Sequence, residues 1–368
     1  MTLACVRLVS GAIGERKYFR LVRVLRVMTI ARYHLLVLAL IALLSGGASP
    51  ASRPATQANM VKTIKGTVLH DTQRDKDLPV TIRVPTDAGK CPLIVFSHGA
   101  GGSGENYVLL LQGWASRGYV VISPTHADSI AMMKPEERRE LKPRDVIVDA
   151  VTDVKGWQDR AKDISFVLDS LDDLEKRIPD LAGKIDRDRI GVGGHSYGAM
   201  TATMIAGGKI RTKPGGELKS FADPRVKAAI EMSGQGEGQM LFTEDSWSNM
   251  KLPLMVMTGS EDMAALGQLP KWRKAPYLHS PAGDKYWVYI DGANHMSFTG
   301  RLGDLIGGIR RTGDDRPQPD GKAIWEVITR SSNTFWDAYL KGDADAKNTL
   351  QSDAIPKESH VGVEYERR

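Results

Sequence analysis

Short apolar runs recur along this chain, and longer stretches with helical spacing separate most of them. Eight runs read as strands: residues 64–68, 78–84, 93–97, 119–122, 190–193, 226–232, 254–258 and 285–290. Helical spacing occupies 106–116, 146–174, 198–206 and 324–340. No helix separates the first two strands, so they are expected to pair as an antiparallel edge hairpin. From there strand and helix alternate. The pattern predicts an α/β architecture, an eight-stranded and mostly parallel sheet with helices on both faces. The runs PLIVFS (92–97) and PLMVMTG (253–259) do not alternate in polarity, which is the mark of strands covered on both sides.

One apolar run stands outside that alternation. LLVLALIALL (35–44) follows Arg32 and precedes the small residues SGGAS. A basic start, a short apolar middle and small residues before a cut make a secretory leader. A membrane-spanning helix needs about 20 apolar residues, so a retained anchor is the weaker alternative. Cleavage after Ala48 puts Gly46 and Ala48 at the small-residue positions; Ala51 is a second choice, and a start at Met28 gives a leader of more ordinary length. The expected organisation is a leader over 1–48, a polar linker over 49–62, one domain over 63–341 and a polar, frayed tail over 342–368. The segment 300–322, GRLGDLIGGIRRTGDDRPQPDGK, reads as a surface loop, with half a lid as the alternative. The expected location is secreted or periplasmic, with no stable membrane span once the leader is removed.

The leader also changes the charge picture. The full chain carries a formal +6, from 50 Lys/Arg against 44 Asp/Glu. Residues 1–48 hold seven of those bases and one of the acids, which leaves 43 of each in the remainder. Nothing in that balance favours nucleic acid. Of two cysteines, Cys5 falls in the leader. Cys91 has no partner for an internal disulfide and is expected to be a buried core thiol. No cysteine follows the apolar run to take a lipid.

The candidate chemistry sits at strand ends, where open α/β sheets bind ligands. GGHSYGA (193–199) follows the strand at 190–193 and opens the helix at 198–206. Gly194-His195-Ser196-Tyr197-Gly198 fits G-x-S-x-G in a strand–turn–helix context, a nucleophile elbow that exposes Ser196. Side chains at 194 and 198 would clash where helix and strand approach. A serine needs a base, and the base an orienting acid, in the order serine, acid, histidine on this kind of fold. SEDMAAL follows the strand at 254–258, and ANHMSF follows the strand at 285–290. Asp262 is therefore the candidate acid, with Glu261 as its near rival, and His295 the candidate base. Oxyanion donors are expected from the backbone N–H groups of Tyr197 and of Ala100, in the glycine-rich loop SHGAGGSGENY (97–107). His126 also follows a strand and is expected to line the pocket. Trp157, Met263 and Trp272 flank the motif-bearing segments and are pocket candidates, with ordinary packing the alternative for each. Phe335, Trp336 and Tyr339 have helical spacing and are expected to face the core.

The ordered set FSHGAGGSGENY, WASRGYVVISPTHADS, RAKDISFVLDSL, RIGVGGHSYGAMTA, DPRVKAAIEMSGQG, LPLMVMTGSED and DGANHMSF resembles the α/β-hydrolase group of predicted dienelactone hydrolases. That group is similar to platelet-activating-factor acetylhydrolases, chlorophyllases and cutinase-like polyester hydrolases. The resemblance runs from about residue 80 to 298. It implies an α/β-hydrolase fold, a Ser196–Asp262–His295 triad and oxyanion amides at Ala100 and Tyr197. Two features depart from it: dienelactone hydrolases use a cysteine nucleophile, and cutinase-like enzymes often carry disulfides.

The expectation is a serine hydrolase that cleaves carboxylic esters through an acyl-enzyme on Ser196. It needs no metal and no cofactor, and its partner is a small-molecule or polymeric ester. A polyester hydrolase, or an acyltransferase or peptidase on the same three residues, is the alternative. A binding module that lost the chemistry predicts a missing triad member, and none is missing. Oligomeric state is left open.

Overall fold

The computed structural model describes residues 58–264, 266–300 and 320–368, apart from the side chain of Pro143. The expected leader, most of the linker and residues 301–319 of the expected loop lie outside the described residues. Strand β1 (Val61–Asp71) pairs antiparallel with β2 (Lys76–Pro85), as the missing intervening helix implies. The register shifts between Ile64 and Thr67, where Gly66 takes φ +73°. Six strands then run parallel: β3 (Cys91–Ser97), β4 (Val120–Pro124), β5 (Ile185–His195), β8 (Val226–Met232), β9 (Leu254–Glu261) and β10 (Lys285–Asn294). Between β5 and β8 lies a separate two-stranded ribbon, β6 (Lys209–Arg211) with β7 (Leu218–Ser220). The main sheet has the order β1-β2-β4-β3-β5-β8-β9-β10-β11, where β11 is Val363–Arg367. This is the α/β-hydrolase fold.

Every residue of β3 is buried, Cys91 included, because helices cover both faces of the sheet. On one face lie α1 (Val108–Ser116) and α6 (Gly321–Leu340). Trp114 of α1 and Trp336 of α6 meet edge to face at 5.7 Å. Gly191 of β5 has no side chain because Trp336 stands there: a Cβ would come within 2.6 Å of that ring. Phe335 and Trp336 are fully buried. On the other face lie α3 (Val154–Asp169) and α5 (Tyr197–Ile205).

Two expectations are corrected. The single helix over 146–174 is three: α2 (Pro143–Thr152), α3, and α4 (Leu171–Arg177). Asp153 leaves helical dihedrals at ψ 84°, and Ser170 breaks the ladder a second time. The tail over 342–368 is not frayed. It forms α7 (Ala344–Leu350), a further turn of helix and β11, which pairs antiparallel with β10 and makes the sheet nine-stranded. An edge strand needs only one partner and keeps one open rim, so VEYER carries charge without losing its ladder. Tyr365 stacks on Tyr286 at 6.3 Å, and its hydroxyl donates to the Leu350 carbonyl. The expected boundary at residue 62 shifts slightly, since β1 begins at Val61.

Candidate active site

The turn from β5 into α5 is tight. Ser196 caps the helix with φ +57° and ψ −121°, a backbone conformation that costs an L-residue free energy. A Cβ at Gly194 would overlap the Gly198 carbonyl, and one at Gly198 would overlap the Ser97 carbonyl. Gly193 is under no such constraint, with its nearest neighbour, Phe96, at 3.4 Å. The Ser196 N–H donates to the Met232 carbonyl at 2.9 Å, which pins the turn to the end of β8.

The ends of β9 and β10 bring two more side chains to this point. His295 Nε2 lies 2.9 Å from Ser196 Oγ, and its Nδ1 lies 3.1 Å from Asp262 Oδ1. Asn294 holds the His295 turn through its side-chain oxygen, which accepts from the N–H groups of Met296 and Ser297. Glu261, the rival acid, is still in the strand, where it sits beside Asn294 of β10. Asp262 is fully buried. Burial alone raises a carboxyl; the bond to His295 and the nearby Arg273 guanidinium outweigh it and hold Asp262 at about 2. Thr258 Oγ1 donates to Asp262 Oδ2 at 2.7 Å, and Arg273 Nη2 stands 3.1 Å from Oδ1.

Several functional neighbours carry no local signal in the sequence. Ser233, with φ +53°, puts its hydroxyl 2.6 Å from His295 Nδ1. Arg273 donates to the Asp262, Ser233 and Gly234 carbonyls and so ties the ends of β8 and β9 together. Tyr107 and His195 form a chain between loops. The Gly99 N–H donates to the Tyr107 hydroxyl at 3.0 Å, which lies 2.9 Å from His195 Nδ1. His195 Nε2 lies 2.8 Å from the His295 carbonyl. A carbonyl only accepts, so Nε2 carries the proton and Nδ1 accepts from Tyr107. Burial, with His295 close by, pushes the His195 imidazole down to about 3 and keeps it neutral.

A cleft of about 720 Å³ opens over Ser196 and His295, with Gly99 and Ala100 in its wall. The Tyr197 amide is the first of α5 and has no intrahelical acceptor. Val108, Ile130, Leu141, Val146, Ile147 and Met296 give the cleft its apolar lining, with Glu105 and Arg138 among the polar groups. Most of these come from the segment between β4 and α3, where apolar residues are scattered among charges. None of the four pocket candidates lines this cleft. His126 is wholly buried, between Ser97 and Asp163. Trp157 is core, its Nε1 donating to the Ala150 carbonyl. Trp272 packs on Gly236 and donates to the Glu237 carbonyl. Met263 is about half exposed and is not part of the cleft wall.

A strained serine on a β-strand-to-helix elbow, with a carboxylate and a histidine after the ends of β9 and β10, defines the α/β-hydrolase class. Within that class the chain belongs to the family of platelet-activating factor acetylhydrolase, isoform II, whose family model matches residues 55–357. It is similar to a platelet-activating factor acetylhydrolase of Canis lupus familiaris, 28% identical over 282 residues, covering 68% of this chain and 57% of the relative. One from Cavia porcellus is 23% identical over 296 residues, covering 72% and 61%. A chlorophyllase type 0 of Chenopodium album is 25% identical over 128 residues, covering 35% and 32%. The chain thus spans less than two thirds of the length of these curated relatives.

Proposed function

We propose that the protein is a serine hydrolase of carboxylic esters with an apolar acyl or alcohol portion. The observation that carries this is the continuous contact from Ser196 Oγ through His295 to Asp262, at 2.9 and 3.1 Å. Family membership and the names of the relatives, two acetylhydrolases and a chlorophyllase, support an ester as substrate. Ser196 Oγ attacks the acyl carbon while His295 Nε2 takes its proton. The Ala100 and Tyr197 amides receive the oxyanion; such a donor is typically worth about 10²–10³ in turnover. His295 returns the proton to the departing alcohol. A water deprotonated by the same imidazole then attacks the acyl-enzyme and frees Ser196. The negative charge of Asp262 stabilises the imidazolium formed in each step.

The basic, apolar and small-residue order of 32–49 supports export. Among the described residues no helix is long and apolar enough to cross a membrane. A turnover panel tests the substrate class: p-nitrophenyl acetate, a long-chain p-nitrophenyl ester, an insoluble polyester and an aminoacyl amide. Soluble esters are expected to turn over and the amide to stay intact. Cleavage of the amide alone would make it a peptidase, and preference for the polyester over both soluble esters would make it a polymer hydrolase.

A further inference from the structure

A second serine–histidine–aspartate relay lies beneath the first. Ser97 Oγ is 2.9 Å from His126 Nε2, and His126 Nδ1 is 2.8 Å from Asp163 Oδ2. All three residues are at most 1% exposed, and none lines the cleft. No substrate reaches this hydroxyl, so its geometry serves something other than nucleophilic attack. What it adjoins is Arg160, itself 2% exposed.

Arg160 touches both halves of the oxyanion site. Its Nη1 donates to the His98 carbonyl at 2.6 Å and to Ser97 Oγ at 3.3 Å; Nη2 donates to the Gly99 carbonyl at 3.3 Å. Its guanidinium lies 3.9 Å over the Tyr197 ring. Asp128 holds the other side of the fork, at 2.9 and 2.7 Å, and also accepts from the Gly101 N–H. The Gly99 carbonyl has a further neighbour in His98 Nδ1, at 2.6 Å. His98 Nε2 accepts the His126 N–H, so the proton of this neutral ring sits on Nδ1, where it can donate.

The consequence follows from the planar trans peptide. The Gly99 C=O and the Ala100 N–H belong to one peptide unit and point in opposite directions. Clamping that oxygen inward toward Arg160 and His98 turns the Ala100 N–H outward. The Arg160 head needs its own support, because five donors must all be satisfied in a dry interior. Ser97 supplies one acceptor. Its hydroxyl hydrogen is drawn toward His126, whose tautomer is fixed by Asp163, leaving lone pairs for Arg160. Lys76 and Arg74, at 2.7 Å each, anchor Asp163.

We infer that Arg160, held by Asp128 and by the buried Ser97–His126–Asp163 relay, is a positioning residue that sets the direction of the Ala100 amide and its spacing from the Tyr197 amide. This rests on the hydrolase reading above. The test joins Arg160→Lys with two readouts, hydrogen exchange over residues 98–102 and steady-state kinetics. Lysine keeps the charge and loses the fork. Faster exchange confined to that loop is expected, with kcat lower by about 10²-fold, KM within about threefold, and affinity for a trifluoromethyl ketone falling in parallel with kcat/KM. Unchanged exchange would overturn the inference, whatever the substrate. So would faster exchange with unaltered kcat, or a loss of activity that only tracks the folded fraction. If Arg160→Lys does not fold, Ser97→Ala removes one hydroxyl and should lower kcat about five- to tenfold with the same pattern. A wild-type protein that turns over no ester would sink the hydrolase reading, while exchange still decides whether Arg160 holds the loop.

Discussion

The ring of His195 donates from Nε2 to the main-chain carbonyl of His295 at 2.8 Å, while its Nδ1 accepts from Tyr107. The residue just before the candidate nucleophile is thereby tied to the backbone of the candidate base, and through Tyr107 to Gly99 in the candidate oxyanion loop. Three loops from separate strand ends are registered by two side chains, Tyr107 and His195, that also stand in the cleft wall. Tyr107→Phe keeps the ring and removes the hydroxyl, leaving the Gly99 N–H and His195 Nδ1 without that partner. An unfolding free energy lower by about 1–3 kcal/mol is expected, with kcat down about five- to tenfold and little change in KM. Chemical denaturation and ester kinetics on the same preparation check both.

Arg273 makes a different kind of contact, an ion pair with the candidate acid inside the protein. Asp262 is held at about 2, below its ordinary 3.8. A depressed carboxyl contributes stability that is present above its unfolded value and lost as pH falls through about 2. Arg273→Met removes one cause of the depression, so acid unfolding should begin at higher pH than in the wild type. Circular dichroism across pH 2–5 reads this; superimposed acid limbs would show that Arg273 does not stabilise the carboxylate.

Glu231 presents the opposite sign. It is 1% exposed in β8, and burial pushes its carboxyl from 4.5 up to about 8. Thr203 stands beside it, but that hydroxyl already donates to the Ala199 carbonyl. The folded chain therefore keeps a proton that the unfolded chain releases, and stability falls as pH rises from 4.5 to about 8. Glu231→Gln keeps the shape and removes the titration. Its Tm relative to wild type should rise steadily between pH 4.5 and pH 8 and level off above. A constant difference across that range would contradict the assignment.

The elbow and the order of its partners were legible because each is a local event. Gly194 and Gly198 mark a close approach within one turn, and Asp262 and His295 each follow an apolar strand by a few residues. Arg160, Arg273 and Tyr107 were not legible. Each has a partner far along the chain, His98 for Arg160, Ser233 for Arg273 and His195 for Tyr107, and a lone arginine in a helix pattern looks like surface until the fold buries it. His126 misled for a related reason: following a strand is the position of a pocket residue, but Asp163 on α3 draws its ring inward. The C-terminal strand was hidden by polarity, since an edge strand can carry VEYER where a central one cannot. The cleft's apolar wall was hidden similarly, its Ile130, Val146 and Ile147 dispersed among charged neighbours.

Labelling of the folded protein by a fluorophosphonate, with the adduct mapped by peptide mass spectrometry, tests the central claim most directly. One adduct per chain is expected, on Ser196, absent in Ser196→Ala and slowed at least about 10³-fold in His295→Ala. Ester turnover should disappear in step with the label, and the double variant should be scarcely worse than either single one. An adduct on another residue, or ester turnover that survives Ser196→Ala at the wild-type rate, would contradict the account.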